Sequence, residues 1–176
     1  MTPTPEFSRP VRIDTLGAAP RHVEIGADER ERAALARRFG IVGIERLSAE
    51  AALTRSGDHV VAAGTLAAKV SQSCVATGAP VEETVEEVFR IEFRPQAALT
   101  SEEEEIELSE GELDVVFYDG SAIDVGEAVA ETLSLSLDPY PRVADADEAL
   151  RKAGVRSEEE AGPFAALAAF RDKFKP

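Results

Sequence analysis

Few residues in this chain have types suited to chemistry. One cysteine, Cys74, and two histidines, His22 and His59, stand among 34 Asp and Glu. Cys74 lies in "KVSQSCVATGAPVEE", residues 69–83, with Ser71 three positions before it. Two cysteines at that spacing ahead of a turn would read as half of a zinc knuckle. Structural zinc takes about four thiolate or imidazole ligands, which one Cys and two scattered His do not supply. A cysteine nucleophile needs a base and a group to orient that base. Strand alternation puts His59 on the face opposite Cys74, and His22 falls in a short N-terminal strand. Cys74 is therefore expected to be a buried, unreactive thiol on the core-facing side of a strand, where free cysteine behaves as a small apolar residue. "DADEALRKAGVR" lacks the spaced oxygen ligands and closing Glu of a calcium loop. Neither "GTLAAK" nor "GELDVVFYDG" matches a phosphate-binding loop. The expectation is a protein that is not an enzyme, with no catalytic residues, no cofactor, no metal and no evident small-molecule substrate.

The elements that must position these residues follow from periodicity. Residues 1–8 hold two Pro and two Thr and read as a flexible N-terminus. "RPVRIDTL" and "HVEIG" read as two short strands. "ADERERAALARRFG" is a helix. Asp28 and Glu31 form a capping box, Arg37 and Arg38 complement the dipole in the last turn, and Gly40 is the left-handed stop. The period then changes to two. Leu47, Ala49, Ala51 and Leu53 share one side of the next segment. Val60, Ala62, Leu66, Ala68, Val70 and Cys74 share one side of the one after. Val81, Val85, Phe89, Ile91 and Phe93 follow, with Glu82, Thr84, Glu86, Arg90 and Glu92 opposite them. This reads as a long antiparallel meander with one core face and one wet face. "ELDVVFYDG" is a further strand. "DVGEAVAETLSLSLDPYP" is a second helix, with Asp124 and Glu127 as its capping box and Val125, Ala128, Val129, Leu133 and Leu137 facing the sheet. Pro139 and Pro141 end it. "DADEALRKAG" is a short polar helix or turn. Residues 162–175 form a terminal helix, with Phe164, Leu167, Phe170 and Phe174 on one side. The fold class is α+β: an antiparallel meander, open or barrel-like, packed with two to three helices in a single domain over residues 1–176.

Composition bounds the function. The 176 residues carry a net charge of −15, and hydrophobic residues make up 44%. No stretch approaches the roughly 20 apolar residues of a membrane span, the start lacks a secretory signal, and a lone cysteine needs no oxidising compartment. A cytoplasmic protein is expected. Seven Glu fall between 102 and 112, so residues 99–112 read as a solvated acidic loop. An acidic field repels phosphate backbones and attracts basic proteins.

Three segments in order carry a resemblance. "SQSCVATGAPV" keeps Gln72, Cys74, Pro80 and Val81 of a Cys-Gln-Arg-Cys block followed by Pro, with Ser71 in place of the first Cys and Ser73 in place of the Arg. "GSAIDVGEAVAETLSLSLDPYP" follows an Asp-Leu-x-Glu helix that ends in Leu-Pro-x-x-Pro, through Asp124, Glu127, Glu131, Leu133, Leu137 and Pro141. "PFAALAAF" matches Pro-Phe-Ala-x-Leu. Over roughly residues 60–176 the chain resembles the bacterial YceD family of large-subunit ribosomal RNA accumulation proteins, in an alphaproteobacterial form without the cysteine pairs. The resemblance implies a non-catalytic role in ribosome production. Some members carry further cysteines after the Leu-Pro-x-x-Pro segment and bind a metal there on this reading. "DPYPRVADADEAL" has none, so the turn keeps a knuckle's shape without its ligands.

The expected partner is a basic ribosomal protein or a ribosomal RNA particle. The candidate contact residues are Glu102, Glu103, Glu104, Glu105 and Glu107, together with Phe164, Leu167 and Phe170. The alternative is direct RNA binding through Arg90, Arg94, Arg151, Lys152, Arg171 and Lys173.

Overall fold

The first helix forms as its sequence dictates. In the computed structural model, which describes residues 5–96 and 114–155, α1 spans Glu29–Phe39. The Asp28 carboxylate accepts from the Glu31 N–H at 2.9 Å, and the Glu31 carboxylate accepts from the Asp28 N–H at 2.8 Å. Gly40, at φ +68°, closes the last turn through Ala36 and Arg37 carbonyls. Both ends satisfy backbone groups that a helix leaves without partners.

The long period-two segments are strands β3 (Gly43–Ser56), β4 (His59–Ser73) and β5 (Pro80–Pro95). With β2 (Arg21–Gly26) and β6 (Asp114–Tyr118) they form one open sheet in the order β2-β3-β4-β5-β6. β2 and β4 pair antiparallel to β3, with a bulge between Ile44 and Arg46. The sheet does not close into a barrel. It also departs from a pure meander, because β6 runs parallel to β5, Ile91 opposite Asp114 through Pro95 opposite Tyr118. A separate two-stranded sheet pairs β1 (Pro10–Arg12) with β7 (Ala122–Asp124), antiparallel. The first strand is shorter than its alternation predicts, since Ile13–Thr15 turn as a 3₁₀ helix. Helix α2 spans Val125–Ser136 and α3 spans Ala146–Lys152.

Packing divides the chain into two compact units. Among the described residues, 5–72, 82–96 and 114–138 form the first, and 73–81 with 139–155 form the second. The expected acidic loop (99–112) and terminal helix (162–175) lie outside the described residues.

The core of the first unit is the predicted one. Leu47, Ala49, Ala51, Leu53, Val60, Ala62, Leu66, Ala68, Val70, Val85, Phe89, Ile91 and Phe93 pack with Leu35 of α1 and with Ala128, Val129 and Leu133 of α2. Phe7, fully buried, belongs to it as well. Residues 5–8 are thus held in the structure, although their composition suggests looseness. In the second unit, the turn after β4 is tied to residues 141–143: Val75 N–H donates to the Pro141 carbonyl at 2.9 Å. Among its described residues, Cys74, Pro141 and Ala146 are buried.

Two glycines mark where the backbone permits no side chain. A Cβ on Gly64, in β4, would lie 1.9 Å from the Glu50 carbonyl oxygen of β3. A Cβ on Gly126, in the first turn of α2, would lie 2.2 Å from the Phe7 carbonyl oxygen. Both obstacles are backbone and cannot swing away. Gly64→Ala and Gly126→Ala should each destabilise the protein by about 3 kcal/mol or more, as overpacking does when the neighbours are fixed. Gly17→Ala, with nothing near its Cβ, should stay within about 0.5 kcal/mol. Denaturant midpoints of the three variants check this, and equal midpoints would refute it.

Candidate interaction surface

The segment before α2 is organised by one carboxylate. Asp124 ends β7 and caps α2, accepting from the Glu127 N–H at 3.1 Å. Its other interactions are with the N-terminal segment: it accepts from the Arg9 N–H at 2.7 Å and from the Ser8 hydroxyl. The Glu127 side chain does not return to complete the predicted box. It receives both guanidinium nitrogens of Arg38 in α1, at 3.0 and 2.7 Å, and Arg38 also reaches Glu6 at 3.1 Å. Arg9 forks onto Glu31 at 2.7 and 2.8 Å and donates to the Gly26 carbonyl at 2.8 Å. The Glu31 carboxyl is held below its ordinary range, chiefly by the Arg9 hydrogen bonds. Sequence spacing points to Asp124 and Glu127, but Arg38 lies 89 positions from Glu127 and no local signal joins them.

A second cluster lies at the β3–β4 hairpin. His59 Nδ1 is 2.8 Å from the Glu92 carboxylate, which also takes a hydrogen bond from Arg94 at 2.9 Å. Arg94 first and His59 second hold Glu92 below the usual carboxylate range. Thr54, Arg55 and Ser56 line the same open cleft. Ser56 stands opposite His59 in the strand register, but His59 hydrogen-bonds Glu92 rather than Ser56. The arrangement is an ion-paired hairpin end.

Cys74 is buried at 3% exposure, as expected, but it stands one residue beyond β4 in the second unit and outside the main core. Its N–H donates to the Ala79 carbonyl at 2.8 Å, and its carbonyl accepts from Gly78 N–H at 2.8 Å, closing the turn. The Thr77 side chain first, and then the backbone amides of Val143, Ala76 and Thr77, lower the thiol's pKa to about 7. The turn that carries the thiol is tied to the stretch after α2 through the Val75 N–H and the Pro141 carbonyl. Among the described residues no three His, Cys, Asp or Glu side chains converge as metal ligands.

The remaining feature is strand β5, next to the short edge strand β6. Its apolar side chains alternate inward, with Val85 and Phe89 buried, while Glu82, Thr84, Glu86, Val88 and Arg90 are exposed. Glu87 falls on the inward side and is exposed too. The acidic and apolar contact residues expected from the sequence (Glu102, Glu103, Glu104, Glu105, Glu107, Phe164, Leu167 and Phe170) lie outside the described residues. Of the basic residues named for RNA, Arg94 pairs with Glu92 and Lys152 with Glu148 at 2.7 Å. Arg90 and Arg151 are exposed on separate elements, and Arg171 and Lys173 lie outside the described residues.

These features define an acidic α+β protein with an open-edged sheet and a knuckle-like turn that holds a single thiol. The family described as "Large ribosomal RNA subunit accumulation protein YceD" matches residues 62–171, more than half of the chain, and the chain belongs to that family. Its role is accordingly ribosome-related. Neither the curated proteins nor the solved structures include a match to this chain. No helix among the described residues is long and apolar enough to cross a membrane.

Two outcomes follow from this geometry. Asp124→Ala removes one acceptor from three donors and should cost about 2–4 kcal/mol, by the loss of a cap and of charge-assisted hydrogen bonds. Chemical denaturation measures this, and a cost below 1 kcal/mol would contradict the anchoring role. For Cys74, thiolate absorbance should titrate with a midpoint near pH 7, and Thr77→Val should raise that midpoint. The folded pKa is the depressed one, so the thiolate contributes stability in full above the unfolded thiol's pKa. That contribution is lost as pH falls through about 7. Cys74→Ala should abolish this part of the pH dependence. A midpoint near that of a free thiol would contradict the amide cradle.

Proposed function

We propose that the protein is a non-catalytic factor in the cytoplasm that supports accumulation of large-subunit ribosomal RNA by binding a basic protein of the ribosome. Family membership gives the ribosomal setting. The observation that carries the partner class is charge: −15 overall, with about half of the described Lys and Arg side chains engaged by the chain's own carboxylates. A basic ribosomal protein complements that field, whereas naked RNA opposes it. The seven Glu between 102 and 112 and the apolar positions Phe164, Leu167 and Phe170 are the sequence's strongest contact candidates.

The test is recovery of partners with tagged protein from its own cell, in low and high salt. Exposed charge pairing is screened within about 10 Å at 0.1 M salt, so recovery of a basic ribosomal protein should fall steeply as salt rises. It should fall again when the seven Glu become Gln, with the melting temperature unchanged. Truncation after residue 161 should reduce recovery if the apolar positions take part. Tighter RNA binding by the Gln variant, with no protein partner recovered, would overturn this reading and favour direct RNA binding.

A further inference from the structure

The sheet has two outer sides, and they are unequal. On one side β2 is six residues long, and its last carbonyl, that of Gly26, is already taken by Arg9. On the other side β6 pairs with β5 only from Ile91 to Pro95. Among the described residues, the stretch from Glu82 to Arg90 therefore has β4 on one side and no strand on the other. An extended strand points alternate backbone N–H and C=O groups to either side. An uncovered edge of this length, roughly 30 Å at 3.3 Å per residue, offers a row of them to another chain.

The side chains on this edge select what can pair with it. Four carboxylates, Glu82, Glu83, Glu86 and Glu87, face a single cation, Arg90. Glu82 has only a distant contact with Lys69, at 3.8 Å, and Glu83 accepts from the Gln72 amide at 2.9 Å. Glu86 and Glu87 have no ion-pair partner among the described residues. Val88 lies between these charges at 77% exposure. Glu87 occupies an inward-facing position between buried Val85 and Phe89, a charge placement that keeps edges from pairing indiscriminately. A second copy would bring Glu against Glu across the new ladder, which like charges disfavour. A strand bearing Lys or Arg at alternate positions would neutralise the same row and bond the same backbone groups.

We propose that the Glu82–Arg90 edge of β5 binds an extended basic segment of a partner protein by strand addition, with main-chain hydrogen bonds supplying the pairing and the glutamates the selectivity. The proposal deepens the reading of a basic protein partner by assigning it a docking strand.

The test uses the full-length protein and a nine-residue peptide, blocked at both ends, in which lysine alternates with threonine or valine. Hydrogen exchange should show the amides of Glu82–Arg90 that do not pair with β4 unprotected in the free protein, and slowed about tenfold or more by the peptide. The same peptide with alternate backbone amides N-methylated keeps its charge but loses donors, and it should not protect them. Glu86→Lys with Glu87→Lys should weaken peptide binding about tenfold or more, with the melting temperature unchanged. Binding of the N-methylated peptide with equal strength, or protection confined to other strands, would overturn strand addition while leaving a basic partner in place. Protection of these amides in the free protein would show that another part of the chain covers the edge, and concentration-dependent protection would show that a second copy does. Either result overturns the proposal. Protection at the edge by the peptide, with no basic protein recovered from cells, would instead preserve the docking strand and sink the cellular reading.

Discussion

The arrangement of the first unit depends on the Asp124 carboxylate. It sits where β7 becomes α2, and it holds Ser8 and Arg9 of the N-terminal segment while it caps the helix. That hold places Phe7 in the core and brings the Phe7 carbonyl within 2.2 Å of where a Gly126 side chain would start. It also sets Arg9 against Glu31 and lets Glu6 join Arg38. A buried or half-buried carboxylate is costly unless its lone pairs are satisfied, and here three donors from two distant parts of the chain meet that need. The Asp-x-x-Glu spacing of the family helix thus has two separate physical jobs. Asp124 closes the backbone, and Glu127 ties α2 to α1 through Arg38.

Local rules read well wherever the interaction partner lies within a few residues. The Asp28–Glu31 box, the Gly40 stop, the three long strands and the apolar stripe of α2 could all be seen in the sequence, because propensity, periodicity and packing agree there. Reading failed where the partner is remote. Glu127 was assigned to its own cap, yet a guanidinium from another helix binds it more strongly than a backbone N–H would. The parallel pairing of β6 was not visible, since alternation marks a strand but not its direction. Residues 5–8 looked loose because Pro and Thr dominate them, and one Phe finding a core outweighed that composition.

The candidate site was less legible than the fold for the same reason. Cys74 could be identified as a knuckle-like position lacking its partner cysteine. Its depressed pKa arises first from the Thr77 side chain and then from backbone N–H groups, one of them from Val143. Every residue type carries a backbone donor, so sequence held no trace of that second part. In the β5 edge the individual glutamates were evident, but read as a wet face. That they border an edge with no further strand among the described residues follows only from β6 starting opposite Ile91.

Charge connects the fold to its surface. Among the described residues, about half of the Lys and Arg side chains pair with the chain's own carboxylates, among them Arg9 with Glu31, Arg38 with Glu127 and Glu6, Arg94 with Glu92, Lys69 with Glu45, and Arg142 with Asp147. Pairs exposed to water contribute only about 0–1 kcal/mol each, so their main consequence lies elsewhere. They remove positive charge from what a partner meets, and the surplus carboxylates remain. An acidic field of this kind raises the encounter rate with a basic surface and lowers it with a phosphate backbone. It carries no register of its own, because long-range charge does not fix how two chains align. Backbone hydrogen bonds along a strand edge do fix alignment. Among the described residues, the glutamates on β5 lie on a long stretch of edge where both effects would coincide, so on the proposal above the same nine residues attract a basic chain and set how it aligns.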